Sequence, residues 1–197
     1  LILAEAFVML HGVGYTMNVL KVHARSRLNN VAPPAKELNW GDLPVVAVLV
    51  PARREPRDVL RRTLLTIGNL DYGNKRVYLL DDNTDPGYQK EAEELAREQG
   101  VILFRRTKPW HGAKAGIVND CLERITEKYV VIFDADQNPL PDFLKVLVPL
   151  MEGDEKLAFI QTPRFYTNIE TNRVARAAVL QQAIFYEYIC EGKGVSD

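Results

Sequence analysis

Six consecutive apolar residues, Val45 to Val50, stand between Pro44 and Pro51. A short run that is apolar on both faces predicts a buried parallel strand. Asp58 then stands where it would cap a helix carrying Val59, Leu60, Thr63, Leu64 and Ile67, closed at Gly68. Val77 to Leu80 predicts a second strand, and the Glu-, Ala- and Leu-rich stretch Tyr88 to Gln99 a helix stopped by Gly100. Val101 to Phe104 predicts a third strand. Lys114 to Thr126 has helical spacing in Ala115, Val118, Cys121, Leu122 and Ile125, and Tyr129 to Phe133 predicts a fourth strand. Phe143 to Met151 predicts a short helix, Leu157 to Ile160 a fifth strand, and Asn172 to Tyr188 the longest helix of the domain. Alternation of this kind predicts an α/β fold: a mainly parallel sheet with helices on both faces. Right-handed crossovers then bring the C-terminal ends of all strands to one edge, where open α/β sheets hold their ligands.

The start of the chain has a different texture. Residues 1–27 are predominantly apolar, interrupted by Glu5, His11 and Asn18, with His23, Arg25 and Arg27 at the far end. That order suits a helix emerging from a bilayer or lying in its surface with the basic end on the cytoplasmic side. The alternative is an amphipathic helix packed on a protein surface. No uninterrupted eighteen-residue apolar stretch marks a full span, and the basic residues follow the apolar part, which is the wrong order for a signal peptide. Residues 28–43 read as a linker, with Asn29-Asn30, Pro33-Pro34 and Gly41-Asp42 as breakers. The domain proper is expected over 44–197.

Composition narrows the function classes. With 197 residues, 47% hydrophobic and 26% charged, the chain is neither disordered nor collagenous. A net charge of -1 removes the global basicity expected of a nucleic-acid binder. Two cysteines and three unpaired histidines form neither a disulfide framework nor a zinc signature.

The chemistry is concentrated at strand ends. Asp134-Ala-Asp136 places two carboxylates two residues apart as the fourth strand runs out, and i and i+2 share a face in extended backbone. Like charges so close repel unless a cation compensates; Mg²⁺ or Mn²⁺ carrying phosphate oxygens is a chemically suitable one. A lone acid at a strand end is commonly a turn residue, but Asp81-Asp82-Asn83 ends a second strand with another acidic cluster. The loop Pro51-Ala52-Arg53-Arg54-Glu55-Pro56 lies on the same edge. Lys108, His111 and Lys114 precede or open the fourth helix, and a lysine at a helix N-terminus is disfavoured unless an anion such as a diphosphate accompanies it. A Walker lysine loop, a GxGxxG after the first strand and a GxSxG elbow are all absent from the sequence.

In order along the chain, Val48 to Pro56, Leu80 to Asn83, His111 to Asn119, Phe133 to Asp136 and Phe159 to Asn168 resemble five segments of the processive family-2 glycosyltransferases, in their cellulose-synthase-like branch. A lone DxD is weak, whereas five segments in order are specific. The resemblance implies a GT-A fold with a mainly parallel central sheet, incomplete at its C-terminus. It implies donor contacts from Ala52, Glu55, Asp82, Lys114, Asp134 and Gln161, with Asp134 and Asp136 on a Mg²⁺ or Mn²⁺ ion. It further implies inverting transfer of a sugar, glucose as the first choice, from a UDP-sugar to a growing β-linked polysaccharide. The parent would be an inner- or plasma-membrane protein with its catalytic domain facing the cytoplasm, served by synthase accessory subunits and touching no nucleic acid.

Departures from the family pattern are specific. Ala52-Arg53-Arg54-Glu55 stands where Thr or Ser with Tyr-Asn-Glu is commoner, and Asn83 replaces a glycine. The Thr-Glu-Asp segment that supplies the family's general base, and the Gln-x-x-Arg-Trp segment that helps bind the acceptor, do not occur. The chain is therefore expected to be an excised or truncated piece carrying the donor half only, with no catalytic base of its own and no activity in isolation. The alternatives are a synthase using another UDP-sugar such as UDP-N-acetylglucosamine, or an inactive nucleotide-sugar-binding module.

Overall fold

The computed structural model describes residues 2–27, 35–39, 41–106, 111–166, 170 and 172–190. Trp40, Lys108, Trp110, Asn168, most of the linker and residues 191–197 lie outside them. The chain forms two compact units, one of Ala35–Glu155 and one combining Leu1–Pro34 with Lys156–Asp197.

The first unit is a four-stranded parallel sheet in the order β3-β2-β1-β4, with β1 Val46–Ala52, β2 Lys75–Asp81, β3 Ile102–Phe104 and β4 Tyr129–Ile132. Between and after the strands run α2 Arg57–Gly68, α3 Pro86–Gln99, α4 Ala113–Leu122 and α5 Phe143–Gly153, α1 being the N-terminal helix Ile2–Arg27. Alternation along β1 splits the core in two. Val46, Val48 and Val50 face Leu60, Leu64 and Ile67 of α2, Ala92, Leu95 and Ala96 of α3, and Leu144 and Val148 of α5. Ala47 and Leu49 face the other way, onto Ile117, Val118 and Cys121 of α4. Cys121 is fully buried, which pushes its thiol up to about 11.

The strand order explains the two layers. From β1 to β2 to β3 the chain steps in one direction, with α2 and α3 on one face. It then returns past β1 to add β4, and a right-handed return places α4 on the opposite face. The reversal lies between β1 and β4, which makes the crevice beyond their C-terminal ends the topological switch point.

Several boundaries differ from the sequence expectation. Helix α2 starts at Arg57 with Pro56 in the N-cap position, so Asp58 sits in its first turn and makes no cap; its charge still complements the helix dipole. Helix α3 begins at Pro86 rather than near Tyr88, because Asp85 caps it by accepting from the N–H groups of Gly87 (2.8 Å) and Tyr88 (3.4 Å). Helix α4 stops at Leu122, where Arg124 N–H donates back to Cys121 O (2.9 Å) in a tight turn that lets Ile125 join the core. Residues 157–160, expected as a fifth strand, have no regular structure, and Phe159 is 76% exposed. An apolar run becomes a strand only where a partner ladder is within reach, and no described residues pair with this one.

In the second unit, α6 Arg173–Ile184 is capped by Asn172, which accepts from Val174 N–H (2.9 Å) and Ala175 N–H (3.3 Å). It passes into a π-helical segment, Phe185–Cys190. Helix α1 carries exposed apolar side chains, including Leu3, Phe7, Met9 and Leu20.

Candidate functional site

At the switch point an open cleft of about 390 Å³ is lined by the end of β1 and its loop (Pro51, Ala52, Arg53, Glu55), Asp82 after β2, the first turns of α4 (Ala113, Lys114, Ile117) and Asp134, Ala135 and Asp136 after β4. Six of the seven residues singled out from the sequence meet here: Ala52, Glu55, Asp82, Lys114, Asp134 and Asp136. The seventh, Gln161, belongs to the second unit, where it is exposed and donates from Nε2 to Thr162 O (3.0 Å).

The Asp134–Asp136 turn is held from three sides. Phe133 N–H donates to Leu49 O (3.0 Å), which ties the turn to β1. The buried Thr63 hydroxyl of α2 donates to Ala135 O (2.7 Å). Gln137 closes the turn by accepting from Asp134 N–H (2.9 Å) through Oε1, while its own N–H donates to Asp134 O (3.0 Å). Ala135 is buried in the core, and the two flanking acids remain on the cleft side, Asp136 exposed and Asp134 partly so.

Lys114 is the second residue of α4, where the helix dipole opposes its charge. Asp134 supplies the compensating anion, and the Lys114 ammonium pairs with Asp134 Oδ1. The turn before it is tight: Gly112 has φ +61 and Ala113 φ +46. A Cβ on Gly116 would lie 2.0 Å from His111 O, so only glycine lets this turn close on the helix.

The two acids after β2 have opposite fates. Asp81, its side chain fully buried, accepts from Arg105 Nε (2.6 Å) at Oδ2 and from the Asn83 amide (2.7 Å) at Oδ1. Asn83 in turn accepts from Arg54 N–H (2.7 Å), which steadies a non-glycine residue at φ +58. That is what asparagine does in this chain at the position where the family pattern has glycine. Asp82 points the other way, into the cleft, with Arg106 Nε 2.9 Å from its Oδ1 in a buried ion pair that lacks hydrogen-bond alignment. Arg105 and Arg106 were not among the residues marked from sequence. Their signal is a pair of consecutive arginines directly after the strand that runs beside the one ending in consecutive aspartates.

Four acids and two bases line the cleft, and Arg106 offsets Asp82 from behind. The lining is therefore negative overall and would accept a cation. Among the described residues no cluster of three or more His, Cys, Asp or Glu forms a protein-only metal cage. Mg²⁺ and Mn²⁺ at nucleotide sites characteristically use one or two carboxylates, with substrate phosphates completing the shell, so the donor set Asp134 and Asp136 fits such an ion.

The comparisons with known proteins agree with this architecture. The chain matches the family model "Glycosyl transferase family 2" over residues 47–193. It is 36% identical over 135 residues to a cellulose synthase catalytic subunit [UDP-forming] of Xanthomonas axonopodis pv. citri (strain 306), which covers 68% of this chain and 17% of that protein. It is 32% identical over 158 residues to the same-named subunit of Pseudomonas fluorescens (strain SBW25), covering 76% and 20%. It is 40% identical over 136 residues to cellulose synthase 2 of Novacetimonas hansenii, covering 68% and 8%. The chain thus spans a fifth or less of the length of these relatives. Among solved structures, a mannosyltransferase from Pyrobaculum calidifontis in complex with GDP-Man and Mn²⁺ shares the fold with a TM-score of 0.59 at 23% identity, over 82% of this chain and 48% of that one. With the parallel sheet, the acids at its strand ends and a family match over most of the sequence, the chain belongs to glycosyl transferase family 2.

Proposed function

We propose that this chain is the donor-binding part of a polysaccharide synthase, holding the UDP moiety of a UDP-sugar and a divalent cation in the cleft between β1 and β4. The observation that carries this is the convergence of Asp82, Asp134, Asp136 and Lys114 on one cleft at the switch point. In this reading Asp134 and Asp136 hold Mg²⁺ or Mn²⁺, Lys114 offers a point charge to the diphosphate, and Ala52, Glu55 and Asp82 border the nucleoside. When bound, the metal offsets charge that develops on the departing UDP. Gln161 is assigned to the donor through the family resemblance alone.

In the parent protein the reaction is inverting transfer of glucose from UDP-glucose to a growing β-linked polysaccharide at the cytoplasmic side of a membrane. The names of the relatives, cellulose synthases and UDP-forming subunits, support that donor. No residue of this chain is assigned as the general base that deprotonates the acceptor hydroxyl, so the chain by itself binds donor without polymerising it.

Calorimetric titration with UDP at fixed Mn²⁺ tests the reading. Asp136→Ala removes a charge-assisted contact worth about 1.5–3 kcal/mol, so affinity falls by about tenfold or more. Unchanged affinity takes Asp136 out of the ligand role. Competition between UDP-glucose and UDP-N-acetylglucosamine then ranks the sugars, and efficient polymer synthesis by this chain alone would refute the missing-base argument.

A further inference from the structure

Arg106 lies behind the cleft and contacts two parts of its wall, Asp82 after β2 and the turn that opens α4. In the parallel register of β2 and β3, Leu80 pairs with Phe104. The next two positions of each strand therefore fall side by side, Asp81 with Arg105 and Asp82 with Arg106, and alternation sends the two pairs to opposite faces. Arg105 goes to the α3 side, donating to Asp81, to Glu93 and to Gln89 O. Arg106 goes to the α4 side and engages all three of its nitrogens. Nε lies 2.9 Å from Asp82 Oδ1, Nη1 donates to His111 O (2.6 Å) and Nη2 to Ala113 O (3.0 Å). Its side chain is only 7% exposed.

We propose that Arg106 is the positioning residue of the donor cleft, fixing the distance between Asp82 and the Lys114-bearing turn so that nucleoside and diphosphate are gripped together. The proposal rests on the donor-site reading above. A guanidinium is planar and rigid, so its three nitrogens impose one separation between the Asp82 carboxylate and the His111–Ala113 backbone. That backbone is the turn with positive φ at Gly112 and Ala113, and Lys114 follows it directly. The turn has no slack on its other side, where Gly116 lies so close to His111 O that a methyl group would not fit. A lysine at position 106 would keep the charge near Asp82 but lose the fork that holds both carbonyls. Arg105 is a built-in control: same residue type, adjacent position, equivalent acid partner, but bonded to Glu93 and Gln89 of α3 rather than to the turn that opens α4.

The experiment uses the full 197-residue chain in detergent, with UDP and Mn²⁺ as probe, and the variants R106K, R105K, K114M and R106K/K114M. R106K is expected to bind about tenfold more weakly than wild type, and R105K within about twofold of it. K114M is expected to cost about tenfold in the wild-type background but less than about twofold on top of R106K, because both act through the same grip on the diphosphate. Hydrogen exchange of the ligand-free R106K chain should quicken over residues 111–118 and stay unchanged over 86–99. A folded R106K chain with wild-type affinity overturns the proposal, as does an equal K114M loss in both backgrounds. Should R106K not fold, the paired change R106Q/D82N is measured against D82N alone, so that the loss due to Asp82 is taken out; equal affinity of the two variants overturns the proposal. Failure of the wild-type chain to bind UDP with Mn²⁺ overturns the donor-site reading itself, which the wild-type titration separates from a failure confined to Arg106.

Discussion

Glu127, in the connection between α4 and β4, shows how a single carboxylate ties that connection to β2. Its side chain is 1% exposed. Burial alone would raise its pKa, but donors outweigh it: the Tyr78 hydroxyl (2.7 Å), the backbone N–H groups of Glu127 and Thr126, and Arg76 (3.2 Å) hold the carboxyl below the usual range. A carboxylate depressed by folding contributes stability that is fully present above its unfolded pKa, about 4.5, and is lost as pH falls through the lower folded value. Glu127→Gln is therefore expected to destabilise the chain by about 1.5–3 kcal/mol at neutral pH. The gap between variant and wild type should close below pH 4.5. Denaturant titrations at pH 7 and pH 3.5 measure both; a gap that persists undiminished at pH 3.5 would mean that the ionised carboxylate is not the stabilising species. The neighbouring Asp81 and Asp82 make the complementary point about legibility. Two adjacent aspartates at a strand end were visible in the sequence as site candidates, but which one enters the cleft depends on strand alternation and on which arginine lies beside each, and that requires the register.

At the scale of elements, the entry to α4 is the tightest joint of the site. Gly116→Ala introduces a Cβ 2.0 Å from a backbone oxygen, a contact that no side-chain rotation relieves. The expected cost is about 1–3 kcal/mol, as for other overpacking substitutions, and the displaced turn should weaken UDP binding as well, since it carries Lys114. Thermal unfolding and UDP titration of the same variant check the two effects; normal stability with normal binding would show that the turn yields freely. What could be read beforehand follows the range of the interactions. The β1 run, the helical face of α2 and the acids ending β2 and β4 were legible because apolar runs and breakers are local signals. The start of α3 was misplaced by two residues because Asp85-Pro86, a cap followed by a first-turn proline, falls outside the apolar pattern. The expected strand at 157–160 failed because an apolar run specifies burial but not a partner. Arg106 was missed because its partners come from two separate stretches of chain, Asp82 after β2 and the His111–Ala113 turn, brought together only by the fold.

At the scale of the whole molecule, α1 is distinguished from every helix of the sheet unit by what surrounds it. Ile2–Ala24 is long and apolar enough to cross a membrane, and among its described side chains none is buried in its apolar eighteen-residue window. Twenty-three helical residues extend about 35 Å, against a hydrocarbon core of about 30 Å. Exposed apolar residues occur at Ile2, Leu3, Phe7, Val8, Met9, Leu10, Val13 and Met17, so they cover the helix all round rather than one stripe. A helix apolar around its circumference, unlike the amphipathic alternative, has no polar face to turn toward water. In water such a surface would associate nonspecifically; in a bilayer it is solvated by lipid. The single carboxylate, Glu5, lies in the first turn, and Lys21, His23, Arg25 and Arg27 lie at the other end, so the charged groups sit near the interfaces that a span would reach, leaving His11 and Tyr15 between them. The expectation is that the chain expressed in bacteria sediments with membranes and resists extraction by alkaline carbonate, whereas a variant lacking residues 2–27 does not. Release of the intact chain by carbonate would place α1 on the membrane surface, since a helix lying in the interface is held by one face only and detaches when the membrane's surface charge is screened or altered.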